Sequence, residues 1–158
     1  MQSLSECIDK AFDKEILDDY QCDNCKTRGQ AELEHTISKL PPVLIISLKR
    51  FDNNNNKIRT KVLVDLDNNN MSKWVSFPAV KKHISTDYSV FGVIEHLGGS
   101  RGGHYLAYTK HNDEWISYDD TSMNKVSADK IINSNTYILF MTRTNYKSPT
   151  PTYSAVEA

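Results

Sequence analysis

From Tyr88 to Arg143 the chain passes through four strand-length segments: Tyr88–His96, Tyr105–Lys110, Glu114–Tyr118 and Thr136–Arg143. Short glycine-rich or polar turns separate the first three, and strands joined by a turn as tight as Lys110 to Asp113 run antiparallel. The chain is therefore expected to build a sheet from hairpins. Upstream, Val43–Phe51 (VLIISLKRF) is β-branched at first and then alternates, as a strand does on leaving a core, and Ile58–Leu66 also alternates. Ala31, Leu33, His35 and Ile37 alternate with polar partners, which predicts a strand within 30–40 that ends before Pro41-Pro42.

Two short helices complete the pattern. Ser3 and Glu6 stand at the spacing of a capping box, and Leu4, Cys7, Ile8, Ala11 and Phe12 share one face of a helix over about 3–13. Cys7 on that face reads as a small buried hydrophobe. A second helix is expected from an N-cap at Ser127 to about Asn133. Asn53–Asn56 and Asn68–Asn70 read as solvated loop tips. From Thr144 the chain is rich in Ser, Thr and Pro, so residues 144–158 are expected to form a disordered tail. The result is one α+β domain over 1–143, a mostly antiparallel sheet with short helices, and 158 residues suffice for a single core.

Charge narrows the partners. Nineteen basic residues against twenty acidic ones leave a net charge of −1, which offers no field for nucleic acid or an anionic membrane. The first ten residues have neither a basic leader nor an apolar core, and no apolar run is long enough to span a bilayer, so the expected location is cytoplasmic or nuclear. In those compartments three cysteines (Cys7, Cys22 and Cys25) read as buried thiols or metal ligands before they read as disulfides.

His104 opens a strand after Gly98-Gly99-Ser100-Arg101-Gly102-Gly103, a loop whose four glycines can take positive φ and bring backbone close to a ligand. Fifteen residues on, Asp119 closes the next strand. The hairpin places its carboxylate near the imidazole, where a bond accepted from Nδ1–H would leave Nε2 as a general base. Two readings stay open on these residues alone: an acid–base pair, or a surface histidine followed by an Asp-Asp-Thr-Ser turn. His35, His83, His96 and His111 lack such neighbours and read as structural or solvated. Cys22-x-x-Cys25 is a zinc half-site; a structural zinc takes four ligands, and His35 is the one further donor in view.

GVIEHLGGSRGGHYLAYTK, WISYDD and TYILFMTR together closely resemble the histidine box of the ubiquitin-specific proteases. YQCDNCK and ISKLPPVLIISLKRF resemble that family's second zinc knuckle and the strand that follows it, and SLSECIDKAF the helix before the knuckle. The resemblance implies a papain-like cysteine protease fold, present as a partial domain (palm and part of the fingers), with an exposed sheet edge and a bare apolar face. It implies that His104 is the general base, that Asp119 orients it and that Asp120 assists. Gly102, Gly103 and Tyr105 would line the channel for ubiquitin's Gly-Gly tail, and the loop from His96 to Arg101 would close over that tail. The partners implied are ubiquitin or ubiquitinated proteins. Catalysis would need no cofactor; a structural zinc at Cys22 and Cys25 would be incomplete in this chain. The family's nucleophile lies in a Gly-Asn-Thr-Cys-Tyr type motif that the sequence does not contain. The expected activity is thus deubiquitination realised with a nucleophile-bearing N-terminal half, and the rival expectation is a non-catalytic ubiquitin-binding module.

Overall fold

The computed structural model describes residues 1–76 and 85–146. The chain begins with β1 (Gln2–Ser3) and α1 (Leu4–Ala11), followed by β2 (Glu15–Gln21), β3 (Arg28–Leu33), β4 (Val43–Ser47), β5 (Val62–Leu63) and β6 (Asn69–Asn70). Then come β7 (Asp87–Gly99), β8 (Gly102–His111), β9 (Glu114–Asp119), β10 (Ser122–Val126) and β11 (Thr136–Arg143). The main sheet has the order β10-β9-β8-β7-β11-β4, with β6 paired to the start of β7. Every pairing in it is antiparallel. β2 and β3 form a separate hairpin, and β1 pairs with β5 in parallel.

Local chemistry explains the elements that the sequence predicted. Ser3 N donates to Glu6 Oε2 at 2.6 Å while Glu6 N donates to Ser3 Oγ at 3.2 Å, so the capping box starts α1 as expected. The turn between β8 and β9 has Asn112 and Asp113 at φ 48° and 64°, the left-handed pair that matches the twist of a two-residue hairpin. β7 carries a bulge: Phe140 pairs with Gly92 but Met141 with Val90, which leaves Phe91 as an extra residue. The bulge shifts the alternation by one. Tyr88 and Val90 before it and Val93 after it can then all enter the core, at 0–1% exposure, against Leu139 and Met141.

Leu4 from α1, Leu40, Leu48, Val62, Met71, Trp74, Trp115 and the Ile131-Ile132 pair complete the core. On the sheet's edge β4 is unpaired on one side among the described residues, and Val43, Ile45 and Phe91 remain 42%, 59% and 36% exposed. The exposed edge and apolar face expected of a partial domain are therefore present. No helix among the described residues is long and apolar enough to cross a membrane.

Several expectations need correction. Only Val62–Leu63 of the predicted strand 58–66 pairs, and the strand 43–51 stops at Ser47. The strand within 30–40 lies earlier, at Arg28–Leu33. The helix after Ser127 is a single 3₁₀ turn, Ala128–Lys130, with no side-chain cap. Asn69–Asn70 is not a free loop tip but pairs with Tyr88 and Asp87. β2 and β10 were not expected at all: both are largely exposed, so neither has an apolar alternation to betray it. Of the predicted tail, 144–146 close a turn in which Tyr146 N donates to Arg143 O at 3.0 Å. Its remainder, like His83, lies outside the described residues.

Candidate active site

Pairing of Ala107 with Tyr118 and Tyr108 with Ser117 sets the register of β8 and β9. Continued by one residue, it puts Asp119 opposite Leu106 and hence one diagonal step from His104, on the same face. His104 Nε2 meets Asp119 Oδ1 at 2.5 Å. The expected pair forms, with one correction: Asp119 takes Nε2, not Nδ1, which leaves Nδ1 as the nitrogen free to serve a nucleophile. Asp120, at φ 48° in the β9–β10 turn, brings a carboxylate into the same group, in which one ligand atom from each of the three residues lies within 4.8 Å of the others.

The hydrogen bond to Asp119 raises the His104 pKa above its ordinary value of 6.5, partly offset by desolvation and assisted by the charges of Asp119 and Asp120. The two side chains are 44% and 47% exposed, so solvent screens the pair. An NMR titration of the His104 ring should give a midpoint above 6.5, and Asp119→Asn should lower it. A raised histidine pKa fixes the sign of the linkage: the pair's contribution to stability is complete below the unfolded value and fades as pH rises through the folded one. An unchanged midpoint in the Asp119 variant would show that the pair does not form in solution.

Gly102, Gly103 and Tyr105 line one cleft of about 460 Å³, together with Phe51, Asn55, His96, Gly99, Ser100 and Tyr137. The pleat sends His104 and Tyr105 to opposite faces of β8, so the cleft flanks the acid–base pair across the strand. The glycines do not all act as expected. Only Gly98, at φ 115°, is left-handed, while Gly102 and Gly103 are ordinary members of the strand. A Cβ on Gly103 would run into Leu97 O and His96 Nε2, so that glycine makes room for the His96 ring.

His96 is the largest omission of the sequence reading. It is 5% exposed and stacks on Tyr105 with ring centroids 4.7 Å apart. Its tilted neighbours are Phe51 and Tyr137. Burial, then the nearby Lys57 charge, lowers its pKa below the ordinary value. Where β7 outruns β11, Lys57 Nζ donates to His96 O, and Arg59 Nη2 donates to Gly98 O at 3.3 Å. Arg59 Nη1 also donates to Asn135 Oδ1 at 3.2 Å, and His96 N to Asn135 O at 3.0 Å. Two long cations thus satisfy carbonyls that have no strand beside them, and hold the 96–103 hairpin that walls the cleft. Arg59 sits within the strand the sequence suggested and Lys57 just before it, and no local pattern marks either.

The cysteines lie elsewhere. Cys7 is half-buried on α1, and burial pushes its thiol pKa up. Cys22 and Cys25 cap the β2–β3 hairpin, where bonds from Thr27 to Cys25 lower the Cys25 thiol to about 7. His35 does not join them: among the described residues the one group of three or more potential metal donors is His104, Asp119 and Asp120. The four donors of a structural zinc therefore do not assemble around Cys22 and Cys25 from these residues.

Residues 2–141 match the family model described as "Ubiquitin carboxyl-terminal hydrolase". Ubiquitin carboxyl-terminal hydrolase 15 of Homo sapiens is 34% identical over 148 residues, 89% of this chain and 15% of that protein. Probable ubiquitin carboxyl-terminal hydrolase 8 of Schizosaccharomyces pombe is 31% identical over 144 residues, 87% of this chain and 30% of that protein. Among solved structures, a chain of the SAGA Ubp8/Sgf11/Sus1/Sgf73 DUB module bound to ubiquitin aldehyde superposes with a TM-score of 0.79 at 27% identity. That match covers 92% of this chain and 34% of the other. The chain thus spans less than a third of the curated relatives named here and about a third of the solved one.

Proposed function

This chain belongs to the ubiquitin carboxyl-terminal hydrolase family and carries part of the papain-like catalytic fold of the ubiquitin-specific proteases, and on that footing we propose that it supplies the base side of a deubiquitinase. The reaction is thiol-dependent hydrolysis of the bond after ubiquitin's C-terminal glycine. His104 takes the proton of a cysteine nucleophile at Nδ1, and Asp119 holds the ring through Nε2 and stabilises the imidazolium that forms. Asp120 adds a second negative charge beside the ring. Gly102, Gly103 and Tyr105 receive the Gly-Gly tail in the cleft across the strand. The observation that carries this reading is the contact of His104 Nε2 with Asp119 Oδ1 at 2.5 Å.

The nucleophile comes from an N-terminal half that packs against this one. Cys7 is a helix-borne thiol whose pKa burial raises, and Cys22 and Cys25 sit at the tip of a separate hairpin. The purified chain, incubated alone with a fluorogenic ubiquitin C-terminal amide, should therefore release no fluorophore while still binding ubiquitin in a titration. Turnover by the chain alone, abolished by His104→Ala, would overturn the split-site reading and reveal an unrecognised nucleophile. The half-exposed state of the pair leaves one rival, a non-catalytic ubiquitin-binding module. That rival requires ubiquitin affinity indifferent to Asp119→Ala and no activity after the missing half is restored.

A further inference from the structure

The run Asn53–Asn56 reads in sequence as a solvated loop tip, but the structure folds it into a closed knuckle. Phe51 and Lys57 pair as an isolated antiparallel bridge at its base. Above them Asp52 N donates to Asn56 O at 3.1 Å, and Asn55 N donates to Asp52 O at 2.9 Å. The Asp52 carboxylate accepts from Asn54 N and Asn56 N at 2.8 Å each, and from Asn56 Nδ2 at 3.2 Å. An aspartate folded back on its own backbone in this way fixes a turn that an asparagine at positive φ completes, and Asn55 has φ 62°. The bonds from Asn56, then Asn54, hold the Asp52 carboxyl below its ordinary value of 3.8, so it stays ionised at neutral pH. The knuckle brings Asn55 into the lining of the cleft of about 460 Å³. It shares that lining with Gly99, Gly102 and Gly103 of the β7–β8 hairpin and with the rings of Tyr105 and Tyr137.

A diglycine segment has no side chains to read. What a protein can recognise in it is the flat face of each amide and the peptide edges, where N–H and C=O must find partners. Aromatic rings suit the faces. A carboxamide suits the edges, because it carries an acceptor oxygen and a donor nitrogen in one plane, as a peptide group does. We propose that Asn55 is a specificity-determining residue of this cleft, its carboxamide pairing with the peptide edge of ubiquitin's Gly-Gly tail, and that Asp52 is the residue that positions it. The proposal rests on the reading of the cleft as the tail site. The part of the knuckle is preorganisation: Asn55 is held at the cleft before the tail arrives, so less freedom is lost when the tail binds. His104 and the cleft residue Tyr105 lie on opposite faces of β8, so the pairing acts on binding and not on proton transfer.

The test uses the full 158-residue chain, shown to be folded by circular dichroism, titrated with ubiquitin and with ubiquitin lacking its last two glycines. The ratio of the two affinities isolates the tail. Native chain should bind the complete form about tenfold more tightly or better. Asn55→Gly removes the carboxamide and keeps positive φ without strain. It should weaken binding of complete ubiquitin by about five- to tenfold and leave the truncated form within about twofold. Asn55→Asp has the same shape but accepts without donating, and should fall likewise. Asp52→Ala unties the knuckle and should lower the ratio, while Asp52→Asn, which keeps one acceptor oxygen for the turn, should restore part of it. Asn53→Gly, in the same loop but outside the cleft lining, is the control and should leave both affinities as in the native chain. A ratio retained in both Asn55 variants overturns the proposal and leaves the tail reading standing. An equal loss for both forms of ubiquitin in Asn55→Gly also overturns it, because the residue would then act away from the tail. Native chain that binds both forms alike, or neither, overturns the tail reading and the proposal with it.

Discussion

His104→Ala, in a catalytic domain completed by a nucleophile-bearing half, is expected to lower kcat/KM for a ubiquitin C-terminal amide by about 10³–10⁴-fold. Removing the ring takes away both the acceptor for the thiol proton and the cation that stabilises the thiolate. Asp119→Asn should act in the same direction through kcat, because an amide at 2.5 Å from Nε2 can present an N–H where a carboxylate accepted one, and so reverses the tautomer. Substrate binding should be little changed in either variant, since the cleft residues lie across the strand from the pair. The measurement is steady-state turnover beside ubiquitin affinity. A His104→Ala enzyme within tenfold of the parent would remove His104 from the chemistry and leave the binding-module reading.

Gly103→Ala should produce the largest stability loss for a single methyl group, about 2–3 kcal/mol. The new Cβ meets Leu97 O, which is backbone, and His96 Nε2, on a ring already held by Tyr105 and by Lys57 at its carbonyl. Neither neighbour can swing aside without opening the hairpin. Gly102→Ala is the matched control: nothing lies within 4 Å of its would-be Cβ, so its effect should stay within about 0.5 kcal/mol. Urea midpoints of the two variants decide the matter. Equal midpoints would mean that His96 does not pack against Gly103, and the wall of the cleft would have to be drawn differently.

Those two glycines show where reading from sequence stops. They are neighbours in one motif, and as a string they look equally permissive. One faces an open cleft and the other a buried ring, a difference set by His96 crossing from the adjacent strand. The sequence left His96 as structural or solvated, because two of its ring neighbours, Phe51 and Tyr137, come from distant segments and Tyr105 from the next strand. The strand expected over 58–66 failed for a related reason. Arg59 points its polar end into a carbonyl of β7, a use that alternation cannot distinguish from a half-buried strand.

By itself the sequence determined what depends on near neighbours along the chain. It specified the capping box of α1, the alternation of β7, β8, β9 and β11, the turn at Asn112-Asp113, and through these the meeting of His104 with Asp119. Hairpin geometry makes that contact a local property, since two strands and one tight turn bring their ends together. Tertiary structure alone decided which imidazole nitrogen Asp119 takes, and that His96 is buried as the wall of a cleft. Each of these depends on which surfaces meet after the sheet has formed, and no periodicity or spacing within a segment encodes a contact made between segments far apart in the chain.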